Sequence, residues 1–201
     1  MRMRKKKNLL PRMEACGALL IEDPRALRGR WRELLPEARE LRVELGCGKG
    51  RFTAETAAAE PDVLLIAVEK VPDAMVVAME RARDAGLHNV FFVDGDAACL
   101  PDFFAPGEVD RIYINFCDPW PKSNQKKRRL THGNFLQLYR RVLPMVGEIH
   151  FKSANAKTTR PNSISRESPS TGVWPPWSPG RPLHSRRSRK KRNPGEEDRR
   201  T

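Results

Sequence analysis

Short runs rich in apolar residues alternate with stretches of helical periodicity between Leu41 and Lys152. The runs LRVEL, VLLIAVE, VFFVD, RIYINF and EIHF have the character of parallel strands that are covered on both faces. The last intervening stretch places its apolar residues on one helical face, at Phe135, Leu138, Tyr139, Val142 and Leu143. This alternation predicts an α/β fold with a doubly wound parallel sheet.

Composition divides the chain into three regions. Residues 1–40 are a basic segment followed by one predicted helix around RALRGRWRELLP, in which Trp31 and Leu34 are placed to pack on the sheet. Residues 41–152 form the predicted α/β core. Residues 153–201 are rich in Ser, Pro and Arg and contain only 5 large apolar residues. Because so few apolar side chains cannot offset the entropy of ordering the chain, we predict that this tail is disordered.

The formal net charge of +13 attracts polyanions, with nucleic acid the first partner to consider. Residues 153–201 hold 12 Lys and Arg against 4 Asp and Glu, so +8 of this charge lies in the tail and +5 in residues 1–152. No apolar run is long enough to cross a membrane, and MRMRKKKNLL lacks the apolar stretch of a secretory signal. We therefore expect a cytoplasmic protein that does not bind membranes.

The cysteines stand apart without a CxxC pair or a histidine at zinc-ligand spacing, which predicts free thiols and no metal site: Cys16, Cys47, Cys99 and Cys117.

The segment VELGCGKGRF follows the first strand and opens the first helix. Gly46, Gly48 and Gly50 allow a sharp turn and a close approach of the backbone to a ligand. The spacing is G-x-G-x-G, and Arg51 breaks the G-x-G-x-x-G pattern of dinucleotide sites. A nicotinamide cofactor remains the alternative for this loop taken alone.

Acidic residues end three predicted strands. Glu44 lies two residues before the first glycine, where it can balance a cation, and Glu69 is placed to bind the hydroxyls of a ribose. Asp96 follows the third strand, where it can meet an adenine amine. Any one of these acids alone is more commonly a solvated residue, but the carboxyl ends of parallel strands meet at one ligand-binding edge. The set therefore predicts a cofactor site.

The fourth strand leads into FCDPWPKSNQKKRRL. Asp118 faces the same predicted crevice, two prolines stiffen the turn after it, and Trp120 offers a flat apolar face. A rigid carboxylate can bind the N1–H and the exocyclic amine of a guanine. The plainer interpretation is a turn followed by a solvated charged face.

Together these segments resemble the bacterial tRNA (guanine-N7)-methyltransferase family over roughly residues 1–155. The matching segments are MRMRKKK, VELGCGKGRF, the acid of AVEK, GDA, and above all FCDPWPK followed by KKRRL. The resemblance implies the Rossmann-like fold of class I methyltransferases, S-adenosylmethionine as cofactor, and transfer of its methyl group to N7 of a guanine in the variable loop of tRNA. It further implies a monomer or weak homodimer.

The resemblance also implies roles for individual residues. The cofactor-binding positions are Glu44, Gly46, Gly48, Gly50, Glu69, Asp96 and Asp118, of which Asp118 is also the candidate catalytic residue. The substrate-binding positions are Lys122, Asn124, Gln125, Lys126, Lys127, Arg128 and Arg129, and the last three suit phosphate contacts.

The chain departs from the family pattern at several positions. Cys117 replaces a proline, and FKSAN replaces F-K-T-D-N, so Ala154 stands where the family has an aspartate. No T-x-Y-E segment follows. We therefore expect the final strands to be missing or replaced, an exposed sheet edge and weak or no activity, and we hypothesise a frameshift near codons 153–160. The alternatives are an inactive RNA-binding fragment of the family and a nicotinamide-dependent oxidoreductase.

Overall fold

The computed structural model describes residues 5–118, 120–153 and, for the backbone alone, 172–173. Its helices are α1 (Leu9–Glu14), α2 (Arg51–Ala59), α3 (Pro72–Asp84), α4 (Leu100–Phe103) and α5 (Gly133–Val142). Its strands are β1 (Glu40–Leu45), β2 (Val63–Glu69), β3 (Val90–Asp94), β4 (Arg111–Asn115), β5 (Glu148–Lys152) and β6 (Gly172–Val173). Short 3₁₀ helices lie at Gly17–Leu19, Trp31–Leu34, Ala97–Cys99 and Ser123–Arg128.

The strands form one sheet in the order β3-β2-β1-β4-β5-β6. Strands β1 to β5 are parallel to their neighbours, and β6 pairs antiparallel with β5. This arrangement confirms the predicted doubly wound α/β fold. The strand order reverses at β1, which has β2 on one side and β4 on the other. The carboxyl ends of β1 and β4 therefore flank the crevice in which such sheets bind ligands.

Two apolar clusters cover the two faces of the central strands. Leu64 and Ile66 of β2 belong to one cluster and Leu65 to the other, and all seven residues of β2 are buried. The last parallel strand differs from the predicted continuous burial, because β5 is only half-buried. Its apolar face packs on the core, whereas Glu148 and His150 lie on its other face.

The helix predicted around RALRGRWRELLP is wrong except for the 3₁₀ helix at Trp31–Leu34. Gly29 adopts φ +81°, and the backbone amides of Gly29 and Trp31 donate to the Glu108 carboxylate instead of to carbonyls four residues earlier. The packing prediction is confirmed. The Trp31 side chain is fully buried, stacks on Phe104 with ring centroids 4.9 Å apart, and donates from Nε1 to the Phe103 carbonyl at 2.8 Å.

Both outer edges of the parallel sheet are partly paired. At β3, the amide of Ile21 donates to the Phe92 carbonyl at 2.9 Å. At β5, Phe151 pairs with Gly172 and His150 with Val173, so the predicted exposed edge is covered at these two positions. The predicted disorder covers residues 153–201, and of these the structure describes Ser153 and the strand β6, which pairs with β5 and is ordered against that prediction. The rest of the tail, with Ala154 and most of the proposed frameshift region, lies outside the described residues.

Within the described part of the chain, no helix is long and apolar enough to cross a membrane.

Candidate active site

A cleft with a cavity volume of about 100 Å³ opens at the carboxyl edge of the sheet. Gly46 lines it from the end of β1, Asp96 from the loop after β3, and Asp118, Trp120 and Arg128 from the segment after β4. The structure thus brings four of the predicted site residues to one cleft, at the reversal of strand order where the fold places ligands. Those four are Gly46, Asp96, Asp118 and Arg128.

The glycine loop uses backbone conformations that other residues rarely adopt. Gly46 has φ +74° and Gly50 has φ +69°. A Cβ added at Gly50 would lie 2.4 Å from the Cβ of Ala78 on α3, so this glycine allows the start of α2 to pack directly on α3. At Gly46 an added Cβ would meet no atom within 4 Å, which leaves the backbone beside the cleft open to a ligand.

The Glu69 carboxylate accepts hydrogen bonds from backbone amides in and after the glycine loop and so fixes the conformation of this loop. Its Oε2 accepts a hydrogen bond from the amide of Gly48 at 2.8 Å, and its Oε1 accepts from the amides of Lys70 and Val71 at 3.0 Å each. The side chain is 8% exposed. A carboxylate has about four lone pairs, so Glu69 retains acceptor capacity for a ligand while it orders the loop.

The structure does not bring Glu44 to the cleft wall. This side chain is 2% exposed, and its carboxylate accepts from Thr53 Oγ1 at 2.6 Å and from Asn115 Nδ2 at 3.3 Å. Burial is the main cause that raises the pKa of Glu44, the two hydrogen bonds lower it, and the neighbouring Glu69 carboxylate raises it further. Glu44 therefore joins α2 to β4 beneath the glycine loop.

Two acids reach the cleft itself. Asp96 caps the following 3₁₀ helix by accepting from the amide of Ala98 at 2.9 Å, and its other oxygen lies 3.7 Å from Lys70 Nζ. Asp118 is exposed and lines the cleft. Within the described residues, the Asp118 carboxylate accepts no hydrogen bond, so it is available to a ligand.

The basic segment, residues 122–129, divides into outward and inward side chains. Six members are exposed: Lys122, Ser123, Asn124, Lys126, Lys127 and Arg128. Gln125 and Arg129 are half-buried, and Arg129 donates two hydrogen bonds to the Trp120 carbonyl, at 3.1 and 2.8 Å. The Arg128 guanidinium lies 5.1 Å from the centre of the Trp120 ring. The two arginines expected to contact phosphates thus also contact the loop of the cleft.

Sequence reasoning missed Lys70 and Leu130 in the cleft and Thr53 and Asn115 as partners of Glu44. Lys70 and Leu130 directly follow motif residues in the chain, which is the signal that could have found them. Within the described part of the chain, no group of three His, Cys, Asp or Glu side chains is arranged to hold a metal ion.

A Rossmann-like sheet with a glycine loop after β1 and acids at its carboxyl edge defines the class I methyltransferase fold. The structure is similar to the antibiotic-resistance methyltransferase Kmr, with a TM-score of 0.52, 22% identity and coverage of 73% of this chain and 77% of that one. It is also similar to a 16S rRNA adenine methyltransferase of Catenulisporales acidiphilia solved with its cosubstrate SAM, with a TM-score of 0.52, 20% identity and coverage of 66% and 58%. These similarities confirm the predicted fold.

Sequence comparison identifies the family. The methyltransferase family model Methyltransf_4 matches residues 38–161. The tRNA (guanine-N(7)-)-methyltransferase of Geobacillus kaustophilus is 46% identical over 155 residues, 77% of this chain and 71% of that protein. The protein of the same name from Streptococcus suis is 38% identical, with coverage of 77% and 73%. The chain belongs to the tRNA (guanine-N(7)-)-methyltransferase family, which confirms the resemblance and favours it over the nicotinamide alternative.

Proposed function

We propose that this protein transfers the methyl group of S-adenosylmethionine to N7 of a variable-loop guanine in tRNA. The observation that carries the proposal is the Asp118 carboxylate, which lines the cleft together with Gly46 and accepts no hydrogen bond from any described residue. The family membership and the names of the relatives support the same reaction.

The residues at the cleft fit S-adenosylmethionine. The open backbone at Gly46 can admit a ligand, and we assign the adenine amine to Asp96, which lines the cleft. We assign the ribose hydroxyls to Glu69, which lies behind the glycine loop rather than in the cleft wall and retains acceptor capacity beyond its three backbone amides. Glu44 and Glu69 together place negative charge beneath the glycine loop, and no described arginine or lysine side chain bonds to either one. Such a charge favours a cationic ligand. When bound, the cofactor supplies an electrophilic methyl group on its sulfonium.

Asp118 would hold the substrate guanine by accepting hydrogen bonds from its N1–H and exocyclic amine. Guanine N7 carries a free lone pair at neutral pH, so its methylation requires alignment and no proton removal. The protein therefore needs a rigid acceptor more than a general base. The exposed side chains of Lys122, Lys126 and Lys127 supply positive charge beside the cleft for tRNA phosphates.

Cofactor choice is the first test of this proposal. Calorimetric titration of the full chain with S-adenosylhomocysteine and, separately, with NADH should show binding of the first alone. The inverse result would restore the oxidoreductase. Binding of tRNA with neither small molecule would identify the protein as an RNA-binding fragment.

Methyl transfer is the second test. Unmodified tRNA is incubated with the full chain and labelled S-adenosylmethionine, and the product is mapped by cleavage at 7-methylguanosine. We expect labelling at a variable-loop guanine, at a low rate because Ala154 stands where the family has an aspartate. Label at another base or another atom would contradict the proposed specificity.

The cellular setting completes the proposal: a cytoplasmic enzyme, monomeric or weakly dimeric, that needs no metal. Light scattering across a protein concentration series tests the oligomeric state. Transfer assays with and without EDTA test the metal requirement.

A further inference from the structure

Trp120 has an unusual backbone for a residue with a large side chain. Its φ of +40° lies in the left-handed region, which L-residues other than glycine rarely adopt. Such a conformation persists only when neighbouring groups hold it. Here the Trp120 carbonyl accepts two hydrogen bonds from the guanidinium of Arg129, from Nε at 3.1 Å and from Nη2 at 2.8 Å. A planar fork of this kind fixes the direction of the carbonyl as well as its position.

Arg129 is itself tied to the core. The next residue, Leu130, is held at its carbonyl by the hydroxyl of Tyr139 at 2.9 Å, and Tyr139 is fully buried on α5. The Arg129 carbonyl accepts from the amide of His132 at 2.8 Å, directly before α5 begins. A continuous series of contacts thus leads from the buried face of α5 through Arg129 to Trp120.

The anchored tryptophan forms part of the cleft. Trp120 and Arg128 line it together with Asp118, and the Arg128 guanidinium lies over the Trp120 ring at 5.1 Å. Lys126 and Lys127 differ, since both side chains are exposed and neither has a hydrogen-bond or ion-pair partner among the described residues. The basic segment therefore contains two kinds of cation.

We propose that Arg129 is a positioning residue for the cofactor and the guanine, and that the outward lysines of the segment provide the phosphate contacts. Its guanidinium holds Trp120, and through it Asp118 two residues earlier, in the geometry that shapes the cleft. The inference rests on the proposed function, because it takes S-adenosylmethionine as the ligand of the cleft. The sequence alone predicts that Arg129 contacts tRNA phosphates, and this proposal gives it a different role.

The test measures cofactor affinity without tRNA, which a pure phosphate contact cannot affect. S-adenosylhomocysteine is titrated into wild type, Arg129→Ala, Arg129→Lys and the matched control Lys127→Ala. We expect Arg129→Ala to weaken binding roughly tenfold, because binding must then order a loop that is ordered in advance in the wild type. Arg129→Lys should recover part of the loss, since lysine keeps the charge but lacks the fork. Lys127→Ala should bind as wild type does.

The salt dependence of tRNA binding should separate the same variants in the opposite way, with an effect in Lys127→Ala and none in Arg129→Ala. Lys127→Ala should lower the slope of log K against log salt by about one. Arg129→Ala should leave that slope unchanged, and melting curves of both variants should show folded protein. If Arg129→Ala does not fold, Arg129→Lys takes its place, because loss of the fork alone should still weaken cofactor binding.

The outcomes separate the inference from the function on which it rests. Wild-type cofactor affinity in a folded Arg129 variant, with a reduced salt slope, makes Arg129 a phosphate contact and overturns the inference alone. Failure of the wild type to bind S-adenosylhomocysteine overturns the proposed function, and the inference with it.

Discussion

The carboxylates at the two ends of the parallel strands differ in the charge of their hydrogen-bond donors. We call the end where the strands begin the amino edge and the end where they finish the carboxyl edge. At the amino edge, where the strands begin, arginines bond the acids Glu40, Glu60 and Glu148. At the carboxyl edge, the donors to Glu44 and Glu69 among the described residues are all neutral, namely a hydroxyl, a side-chain amide and backbone amides. The sequence contains acids at both edges, so what distinguishes them is the partner.

The amino edge is centred on Arg42, which is 2% exposed. Its guanidinium donates to Glu60 at 2.7 and 2.8 Å, to Glu40 at 2.6 Å and to the Tyr113 hydroxyl at 2.9 Å. The hydrogen bonds from Arg42 are the largest cause that lowers the pKa of both Glu40 and Glu60. These carboxylates remain ionised in the fold and stabilise it.

The carboxyl edge retains buried carboxylates, Glu44 and Glu69, to which no cation among the described residues donates a hydrogen bond. Burial of an unbalanced carboxylate opposes folding, and it is the main cause that raises the pKa of Glu44. Groups held in such an unfavourable state are concentrated at functional sites. This difference supports our proposal that the acids at the carboxyl edge serve a ligand, whereas the acids at the amino edge stabilise the fold.

The largest effect on stability should come from breaking the amino edge. Arg42→Ala removes the buried guanidinium at the centre of this network, and Glu40 and Glu60 keep partly exposed pairs with Arg39. The free energy of unfolding should fall by about 3 kcal/mol, the lower end of the range for breaking a buried ion pair. Arg51→Ala is the matched control, because its pair with Glu55 is exposed to solvent and should contribute far less to stability. Urea denaturation measures both. Equal losses in the two variants would remove the distinction between the buried network and a surface pair.

The next effect concerns activity at the carboxyl edge. Asp118→Asn should lower the rate of methyl transfer by about a hundredfold, because a guanine misplaced by about 1 Å loses its alignment with the methyl donor. Affinity for S-adenosylhomocysteine should stay unchanged, since Glu69 and Asp96 remain. Asp102→Asn, on the exposed surface of α4, is the control and should retain the wild-type rate. Full activity of Asp118→Asn would exclude its carboxylate from catalysis.

Much of the fold follows from local pattern. The β2 run is apolar at all but its last position, and the structure buries every residue of it, so periodicity alone suffices there. The segment around Trp31 shows the limit of such reasoning. Its composition favours a helix, but two of its amides bond to Glu108, which is 77 or more residues away in the chain. A prediction from neighbouring residues cannot include Glu108, whose carboxylate takes the place of the carbonyl acceptors of a helix.

At the site, too, some residues could be predicted from local sequence, whereas others depend on contacts between distant parts of the chain. Asp96 and Asp118 could be predicted from their positions directly after strands, because all parallel strands end at one edge. The inward direction of Arg129 could not be predicted, since five basic residues stand within eight positions and nothing in their order marks one of them. The contact of Arg42 with Glu60 depends on how β1 and α2 come together, and no motif records it.

A smaller effect should follow loss of Glu69. Glu69→Ala removes the acceptor for three backbone amides and the acceptor that we propose for the cofactor ribose, so cofactor binding should weaken by about 1–3 kcal/mol. Glu69→Gln keeps one acceptor oxygen and should lose less. Calorimetry with S-adenosylhomocysteine measures both variants. An undiminished affinity in Glu69→Ala would show that neither the ribose nor the glycine loop depends on this carboxylate.

The smallest effect should come from replacing Glu44 by glutamine. Whether this replacement raises or lowers the stability of the fold tests directly whether the two edges differ. Below the ordinary pKa near 4.5, the side chain is protonated in the folded and the unfolded chain, so Glu44→Gln should leave stability nearly unchanged. As pH rises above 4.5, the unfolded chain loses its proton first, and the wild type loses stability up to the raised pKa of the folded state. The glutamine side chain does not titrate. The variant should therefore become more stable than wild type as pH rises from 4.5 to the raised pKa, and it should stay more stable at higher pH.

We therefore expect Glu44→Gln to melt at a higher temperature than wild type at pH 8 and at the same temperature below pH 4.5. The side-chain carbonyl of the introduced glutamine can still accept from Thr53, and the amide of Asn115 can turn to present its oxygen. The same variant should bind S-adenosylhomocysteine normally but S-adenosylmethionine more weakly, because only the latter carries the sulfonium charge. A melting temperature that falls at pH 8, or a difference independent of pH, would mean that the Glu44 carboxylate supports the fold as those of Glu40 and Glu60 do.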